Sequence, residues 1–320
     1  MISTQNLCKK YGKNIVVNGL NLNVRQGTVY GIVGENGAGK TTALSMLVTL
    51  TTPSSGKAYI NGFEVTHEPV GVRRSIGYMP DAFGVFDDIR CEEYLLFYAD
   101  CYKVPRDVAR RRCDEYLEWV GLTEKRDAYV NTLSRGMQQR LEVARCLMHD
   151  PPVLLLDEPA SGLDPRSRIE LRSVLQRLKE MGKTILMTSH ILTELVEVAD
   201  EIGIMRAGEM MAVASVNVLK NHTTAYRTLH IVGTGPRASF EAALRGDAHV
   251  LNYHLQKDYV EVFYGGTVDQ QACLLDSLIR HGVSVRQFFE HETNVEELFL
   301  RLTDTSMAED WLKQKAVVTS

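Results

Sequence analysis

Apolar and polar positions over roughly the first 218 residues follow two alternating patterns. Short apolar or β-branched runs, typical of buried strands, include Thr28–Val33, Val153–Leu156 and Thr184–Thr188. Segments with helical spacing separate these runs, and strands that alternate with helices predict a layered α/β domain. The predicted helices are Lys40–Leu50, Cys91–Ala99, Val108–Val120, Arg135–His149 and Ser167–Glu180.

A different pattern follows Leu219. The predicted elements are, in order, a strand Arg227–Val232, a helix Ser239–Leu244, strands Ala248–Leu255 and Asp258–Tyr264, a helix Val268–His281 and a strand Val283–Phe289. This β-α-β-β-α-β order is ferredoxin-like. A closing helix over Val295–Leu302 is predicted from its apolar face of Val295, Leu298, Phe299 and Leu302. We therefore expect a smaller C-terminal α+β (ferredoxin-like) domain over 219–305 and a weakly constrained tail over 306–320.

Composition and charge exclude several classes of protein. The 36 basic and 40 acidic side chains give a net charge of −4, which does not suggest a nucleic-acid binder held by bulk positive charge. The short basic cluster Arg110–Arg112 fits a solvated helix face. No apolar stretch approaches the ~18 residues that cross a bilayer, and we expect no secretory signal. The six cysteines show neither CxxC nor zinc spacing, so we expect reduced thiols.

Residues Gly34–Thr41 read G-x-x-x-x-G-K-T between a predicted strand and a predicted helix. Glycines let backbone N–H groups turn inward around phosphate oxygens, and the helix dipole points its positive end at the same anion. Lys40 is expected to bridge the β- and γ-phosphates, and the Thr41 hydroxyl to ligate Mg²⁺. The residues expected to bind nucleotide here are Gly34, Asn36, Gly37, Gly39, Lys40, Thr41 and Thr42.

The apolar run Val153–Leu156 ends in two acids, Asp157 and Glu158. A buried strand that ends in carboxylates places them at the carboxyl edge of a sheet, where such folds bind ligands. Asp157 is suited to hold Mg²⁺ because this ion prefers hard oxygen ligands. Glu158 is suited to orient and deprotonate the attacking water.

With these residues in place, the chain resembles the ABC (ATP-binding cassette) ATPase family from about residue 2 to 215. The resemblance implies a P-loop NTPase core over 1–218, with a helical subdomain at about 82–150, and ATP and Mg²⁺ as its ligands. Further matching segments are the signature-like Leu133–Arg140, the D-loop-like Ser161–Pro165, the switch-histidine segment Thr188–His190, and Tyr11, which stands where the family stacks an aromatic ring on adenine.

The resemblance also implies that two copies of the chain sandwich two ATP molecules in a homodimer. In this family the signature binds the γ-phosphate held on the opposite subunit, a role that falls here to Ser134 and Gly136. Asp164 would organise the partner's site, while His190 would contact the γ-phosphate and position Glu158. From the residues alone, a plain helix capped by Ser134 explains the signature segment equally well.

The chain departs from the family at two places. Asp81 stands where the family usually has a Gln that senses Mg²⁺ and the attacking water, and Asp adds negative charge while still offering oxygen ligands. Arg135 and Met137 replace a Gly and a Gln of the signature. We expect Asp81 to be a catalytic and metal-binding residue with altered tuning. We expect hydrolysis because the chain retains Lys40, Thr41, Asp157, Glu158 and His190.

The implied function is that of an ATP-binding and hydrolysing subunit that powers a separate membrane permease from the cytoplasmic face of the membrane. The ending Val295–Thr303 is similar to the closing motif of a subgroup of export systems. One alternative is a soluble ABC ATPase that acts on nucleic acid or ribosomes, although such relatives usually carry two cassettes, a coiled coil or zinc modules. Another is a nucleotide-gated regulator that hydrolyses poorly because of Asp81. No nucleic-acid partner is expected.

The segment Ala82–Tyr102 follows Asp81 and is rich in aromatic residues. In the family this region receives the permease, so a docking surface is one interpretation. The core of the helical subdomain is an equally good one. The aromatic residues concerned are Phe83, Phe86, Tyr94, Phe97 and Tyr98.

Overall fold

The computed structural model describes residues 1–81, 84, 88–217, 227–256 and 259–291. The chain divides into two compact units, Met1–Val216 and Asn217–Ser320. The strands of the first unit are β1 Ile2–Tyr11, β2 Asn14–Val24, β3 Val29–Val33, β4 Ser55–Ile60, β5 Phe63–Glu64, β6 Ile76–Met79, β7 Val153–Leu156, β8 Thr184–Ser189, β9 Glu201–Arg206 and β10 Glu209–Ser215. Its α-helices are α1 Lys40–Leu47, α2 Pro69–Ser75, α3 Cys91–Cys101, α4 Arg106–Trp119, α5 Arg135–Leu147, α6 Pro165–Glu180 and α7 Leu192–Val196.

The first unit contains a mainly parallel sheet in the order β10-β9-β3-β8-β7-β6 within the described residues. Neighbouring strands from β9 to β6 pair in parallel, and β10 pairs with β9 antiparallel at one edge. All residues of β3, β7 and β8 are buried, as expected for strands covered on both faces. This arrangement confirms the predicted α/β fold.

A second, antiparallel sheet has the order β2-β1-β4-β5 and was not among the sequence predictions. Its strands are only half-buried, and the pairing of β1 with β2 shifts register between Thr4 and Leu7 and again before Lys10. Bulged strands of this kind lack a continuous apolar run and break the alternation that identifies a strand. The two sheets and α1 share one apolar core, which includes Leu20, Ile32, Leu44, Ile60, Leu155 and Leu186.

The predicted helices are present, with ends that differ by up to three residues. Helix α1 ends at Leu47 rather than Leu50, because Thr49 takes a left-handed φ of 65°. Helix α5 ends at Leu147 rather than His149, since Asp150 has φ 58° just before a proline pair. Helix α6 begins at Pro165 rather than Ser167, because Asp164 already caps it.

Helices α3, α4 and α5 pack against one another on the way from β6 to β7. The aromatic segment that follows Asp81 in the sequence contributes both buried and exposed side chains to these helices. Tyr94 is fully buried, whereas Phe97 is 47% exposed. Phe83 and Phe86 lie outside the described residues. On α4, Arg110 and Arg111 are exposed, as a solvated helix face requires, and Arg112 donates a hydrogen bond to the Met148 carbonyl.

The second unit forms an antiparallel sheet in the order β12-β13-β11-β14 within its described residues. Its elements are β11 Arg227–Thr234, α8 Arg237–Arg245, β12 Val250–Leu255, β13 Val260–Tyr264, α9 Val268–Arg280 and β14 Ser284–His291. Leu229 and Ile231 of β11 pack with Leu244 of α8 and Leu278 of α9. This order of strands confirms the ferredoxin-like prediction. The predicted helix Val295–Leu302 and the tail lie outside the described residues.

Among the described residues, no helix has the length and apolar character needed to span a membrane. All six cysteines are free thiols in the structure.

We predict that Leu155→Ala destabilises the first unit by about 2–5 kcal/mol, because the side chain is fully buried in β7 and its removal leaves a cavity. Leu50→Ala is the matched control, since Leu50 is 70% exposed and its loss is expected to cost less than about 0.5 kcal/mol. Urea unfolding followed by circular dichroism measures both. Equal midpoints for the two variants would contradict the assigned core.

Candidate active site

The carboxyl ends of four parallel strands meet at one edge of the central sheet. Val33 of β3 is paired with Ser189 of β8, and Leu156 of β7 is paired with Met79 of β6. Strands β7 and β8 are themselves neighbours. The segments that leave these strands therefore start side by side, at the edge where open α/β sheets bind ligands.

The first of these segments, residues 34–39, leads from β3 into α1. Gly39 precedes the helix with φ 104°, a conformation that side chains rarely adopt, and a Cβ atom there would lie 2.6 Å from the Val16 carbonyl oxygen. The loop thus turns sharply into a helix whose first turn leaves its backbone N–H groups free for an anion. Asn36 and Gly37 are exposed on this turn, and a Cβ at Gly34 would collide with the Met205 carbonyl oxygen.

Lys40, the first residue of α1, is only 4% exposed. Its Nζ donates hydrogen bonds to the carbonyl oxygens of Gly34 at 2.5 Å and Glu35 at 3.3 Å. The same Nζ lies 3.2 Å from Oε1 of Glu158. The ammonium group is therefore held inside the loop, between its backbone and the acid at the end of β7. Next to it, Thr41 is exposed and Thr42 is half-buried.

Asp157 is fully buried directly after β7. Its N–H donates to the Met79 carbonyl oxygen at 2.9 Å, and its Oδ1 accepts a 2.6 Å hydrogen bond from the Thr188 hydroxyl. Burial raises the pKa of Asp157, an effect that hydrogen bonds from Thr188 and Thr41 partly offset. Oδ2 is buried without a hydrogen bond of regular geometry to the described residues. Such an oxygen is suited to a cation or to a water that the cation holds.

Glu158 has a φ of 49°, in the left-handed region. Its N–H donates to the Thr188 hydroxyl oxygen at 3.0 Å, so this one hydroxyl holds both acids. Oε2 of Glu158 accepts a hydrogen bond from the His190 N–H at 3.2 Å and lies 2.8 Å from His190 Nδ1. A non-glycine residue in this conformation is strained. Here the Thr188 hydroxyl holds the Glu158 backbone, while His190 and Lys40 hold its carboxylate.

Thr188 belongs to the predicted strand Thr184–Thr188 and to the switch-histidine segment, but neither pattern predicts its link to both acids. The available signal is its position: it is a fully buried polar side chain directly after the apolar run Ile185–Met187 of β8, beside the strand that ends in the acids. A buried hydroxyl is expected to have hydrogen-bond partners.

Asp81 is exposed, two residues after β6 ends. Its charge adds to the factors that raise the pKa of Asp157, and burial, helped by Asp157 and Asp81, raises the pKa of Tyr78 to about 12. Asp81 and Asp157 thus follow neighbouring strands, and the charge of Asp81 is one cause of the raised pKa of Asp157. Together with the Thr41 hydroxyl they offer oxygen ligands at one edge of the sheet.

This donor set fits Mg²⁺, which is commonly bound through one or two carboxylates together with the substrate's phosphates. Across the part of the chain that the structure describes, no group of three or more His, Cys, Asp or Glu side chains forms a complete metal cage. The protein oxygens are therefore suited to a cation that shares its coordination with a phosphate ligand.

The signature-like segment begins α5. Ser134 caps this helix, and its Oγ accepts a 3.3 Å hydrogen bond from the Met137 N–H. A Cβ at Gly136 would collide with the Ser167 hydroxyl, so the first turns of α5 and α6 are in close contact. The guanidinium of Arg135 lies against Gly162, where an added Cβ would be 2.7 Å from its Cζ.

Asp164 caps α6 and is exposed. It accepts hydrogen bonds from the Ser167 N–H at 3.0 Å and the Ser167 hydroxyl at 2.6 Å, and these bonds lower the pKa of Asp164. Among the described residues, the hydrogen-bond partners of Ser134 and Asp164 lie within their own helices rather than in the phosphate-loop segment or the acid pair. Within one chain, hydrogen bonds thus do not join Ser134 or Asp164 directly to the phosphate-loop segment or the acid pair among the described residues.

Tyr11 ends β1 with its ring 50% exposed. The Nζ of Lys9 lies 4.9 Å from the centre of this ring. The exposed aromatic surface is available to a planar ligand, and the predicted contact with adenine stays a prediction.

We predict that Asp157→Asn raises the urea midpoint of the nucleotide-free protein near pH 8. Burial raises the pKa of Asp157, so the folded state holds more protons than the unfolded state between their two pKa values, and stability falls as pH rises through that window. Asparagine keeps the Thr188 hydrogen bond without the buried charge. The advantage of the variant should therefore shrink as pH falls below the pKa of Asp157 in the folded state.

Asp164→Asn is the control of opposite sign, because hydrogen bonds lower the pKa of Asp164 in the folded state. Its midpoint should not rise at pH 8. A lower urea midpoint for Asp157→Asn than for the wild type at pH 8 would contradict the claim that the buried charge of Asp157 destabilises the nucleotide-free protein.

The sequence matches the ABC transporter family over residues 17–161. It is 30% identical over 309 residues to the linearmycin resistance ATP-binding protein LnrL of Bacillus subtilis (strain 168), with 96% of this chain and 99% of the relative aligned. Identity is 32% to the bacitracin transport ATP-binding protein BcrA of Enterococcus faecalis, over 94% of this chain and 96% of the relative. It is 34% to the daunorubicin/doxorubicin resistance ATP-binding protein DrrA of Streptomyces peucetius, over 94% and 92%.

Solved structures give the same result. A dimeric ATP-binding cassette in a post-hydrolysis state, bound to ADP and inorganic phosphate, superposes with a TM-score of 0.62 at 26% identity, over 68% of this chain and 99% of that chain. An ATP-binding subunit of an ABC transporter superposes with a TM-score of 0.63 at 25% identity, over 70% of this chain and 93% of that chain. The chain therefore belongs to the ABC transporter family and is one of its ATP-binding, ATP-hydrolysing subunits.

Proposed function

We propose that this ATPase binds Mg-ATP at the carboxyl edge of its central sheet, hydrolyses it in a homodimer, and so powers a separate integral membrane permease that exports its cargo. The observation that carries the proposal is the meeting of Lys40, Asp157 and Glu158 at one edge. Lys40 Nζ lies 3.2 Å from Glu158 Oε1, and the Thr188 hydroxyl bonds to both acids. The ammonium group proposed to bind phosphates, the carboxylate proposed to bind a metal ion and the carboxylate proposed to deprotonate water are therefore neighbours.

In this proposal Lys40 exchanges its contact with Glu158 for the β- and γ-phosphates when nucleotide binds. The released carboxylate of Glu158 orients the attacking water and takes up its proton. His190, whose Nδ1 lies 2.8 Å from Glu158, holds that carboxylate and contacts the γ-phosphate. The loop residues Gly34, Asn36, Gly37, Gly39, Thr41 and Thr42 surround the remaining phosphate oxygens, and Tyr11 stacks on adenine.

Asp157, Thr41 and Asp81 are the proposed protein ligands of Mg²⁺. When bound, the ion supplies charge neutralisation for the β- and γ-phosphate oxygens. The buried Oδ2 of Asp157 supports this assignment, since it lies without a regular hydrogen bond at the end of β7. Asp81 sits two residues beyond β6, and its charge contributes to the raised pKa of Asp157.

A second copy of the chain completes each site in the proposed dimer. Ser134, Gly136 and Asp164 lie at adjoining helix starts, and the side-chain hydrogen bonds of Ser134 and Asp164 stay within α5 and α6. Helix starts without direct hydrogen bonds to the phosphate-loop segment of their own chain are, in this proposal, available to the site of another. The dimeric state of a similar solved cassette supports this arrangement.

The membrane role is supported by the relatives, which are named as ATP-binding proteins of resistance and transport systems and align along 94–96% of this chain. We infer a permease partner, a cytoplasmic location on the inner face of the membrane, and the division into a nucleotide-binding domain over 1–218 and an accessory domain over 219–305. A role on nucleic acid or ribosomes is disfavoured by the same relatives. The remaining alternative is a nucleotide-gated regulator that hydrolyses ATP poorly, and kinetic measurements distinguish it from the proposed transport ATPase.

We predict that Glu158→Gln lowers the steady-state rate of ATP hydrolysis by about 10²- to 10⁴-fold, because it removes the general base. ATP binding should persist, since the phosphate loop and Lys40 are unchanged, and the variant should accumulate as a dimer in the presence of Mg-ATP. Phosphate release and sedimentation velocity measure the two effects. Glu180→Gln is the control, because Glu180 is an exposed carboxylate at the end of α6.

Hydrolysis by Glu158→Gln at the wild-type rate would refute the assignment of the base. A wild-type protein that binds Mg-ATP yet does not turn it over, alone or with its permease, would favour the regulator instead.

A further inference from the structure

Strand β6 is the edge strand of the parallel sheet, and one of its sides has no strand neighbour among the described residues. The Met79 carbonyl points toward β7, where it accepts the Asp157 N–H at 2.9 Å. Because successive carbonyls of a strand point in opposite directions, those of Ile76 and Tyr78 point toward the open side. Buried carbonyls there need donors from elsewhere.

Arg145 in the last turn of α5 and His149 just after the helix supply these contacts. His149 Nε2 lies 2.9 Å from the Ile76 carbonyl oxygen, and the Arg145 guanidinium donates to the Tyr78 carbonyl oxygen at 2.5 Å. Helix and strand approach closely: a Cβ at Gly77 would lie 2.6 Å from the Cys146 carbonyl oxygen. The helix that begins with the signature segment therefore takes the place of a further strand beside β6.

The same arginine is also in contact with α3. Its Nε is paired with the buried carboxylate of Glu142, and its Cζ lies 4.7 Å from the centre of the Tyr98 ring. Tyr98 in turn packs edge-on against Tyr94, with ring centres 5.1 Å apart. A planar guanidinium with five donors is suited to engage a carbonyl, a carboxylate and an aromatic ring at once, which a lysine ammonium is not.

His149 links β6 to the α3 region in the same way as Arg145. The ring of Tyr102, directly after α3, stacks on His149 with centres 3.7 Å apart. Arg145 and His149 thus each contact a carbonyl of β6 on one side and an aromatic ring of the α3 region on the other. Tyr78 is three residues before Asp81, and Met79 is bonded to Asp157, so movement of β6 reaches both aspartates.

We propose that Arg145 is a positioning residue: it fixes the end of β6 against α3 and so sets the place of Asp81 at the metal-binding edge. The inference rests on the proposed role of Asp81 as a Mg²⁺ ligand. It also links α3 to the site through the side chain of Arg145. A displacement of α3 would then change the position of Asp81 through the contacts of Arg145.

The test uses the full chain with the double substitution Glu142→Gln and Arg145→Met. Removing both charges leaves no buried charge unpaired, a change that proteins often tolerate, while the donor to the Tyr78 carbonyl is lost. The control is Glu92→Gln with Arg126→Met, another arginine–glutamate pair involving α3, with Nη2 and Oε1 2.5 Å apart. Among the described residues, the side-chain partners of this pair do not include β6. If the double variant does not fold, Arg145→Lys is used in its place, because this substitution keeps the buried charge.

The first readout is backbone hydrogen–deuterium exchange over residues 76–81 without nucleotide. We expect exchange about tenfold faster in the Arg145 variants and unchanged in the control. The second readout is the Mg²⁺ concentration for half-maximal hydrolysis, which should rise about tenfold, as for outer partners of metal ligands. The dissociation constant of ATP in EDTA should change less than about twofold, since the phosphate loop is intact.

If exchange over 76–81 and the Mg²⁺ requirement in the Arg145 variants match the control, the positioning role is wrong while the proposed function stands. Failure of the wild type to hydrolyse ATP with Mg²⁺ would instead remove the proposed function itself.

Discussion

The strand order of the central sheet is the constraint on which the rest of the site depends. Because β3, β8, β7 and β6 are neighbours and run parallel, the phosphate-loop segment, the acid pair, His190 and Asp81 all leave the sheet at one edge. Two short-range contacts then fix the chemistry at that edge. The ion pair of Lys40 with Glu158 joins loop to acid, and the Thr188 hydroxyl bonds to Asp157 and Glu158 together.

The electrostatic state of this edge suits a polyanion accompanied by a cation. Asp157 is fully buried, and the left-handed φ of Glu158 carries a conformational cost. Such features lower the stability of the free protein, and ligands that bind only the folded state restore it. The second cluster, at the starts of α5 and α6, is bonded within itself. In our proposal this cluster serves the site of a second copy, so that dimerisation and nucleotide binding stabilise each other.

Much of the fold could be predicted from the sequence, because the parallel strands are continuous apolar runs and the helices have clear apolar spacing. Val153–Leu156 is present as predicted, and α3, α4, α5 and α6 differ from prediction by one to two residues at one or both ends. The first antiparallel sheet was missed because its strands are bulged and half-exposed. The order of helices and strands in the second unit could be predicted because apolar positions recur at different intervals in helices and in strands.

The site was predictable in its residues but not in its supporting contacts. The structure brings Lys40, Asp157, Glu158 and His190 together, as their places after neighbouring strands indicated, and their roles stay predictions. The link through Thr188, the packing of Arg135 on Gly162 and the Arg145 contacts with β6 depend on which elements become neighbours in space. A single sequence does not contain that information locally.

The central claim is that phosphates bind at the ammonium group of Lys40, and the ATP dissociation constant of Lys40→Ala tests it most directly. Isothermal titration with ATP should compare this variant with the wild type and with Lys13→Ala, an exposed lysine in the turn between β1 and β2. The account predicts binding weaker by about tenfold or more for Lys40→Ala, as for loss of a charge-assisted contact, and no change for Lys13→Ala. Unchanged affinity in Lys40→Ala would contradict the assignment of this edge as the nucleotide site.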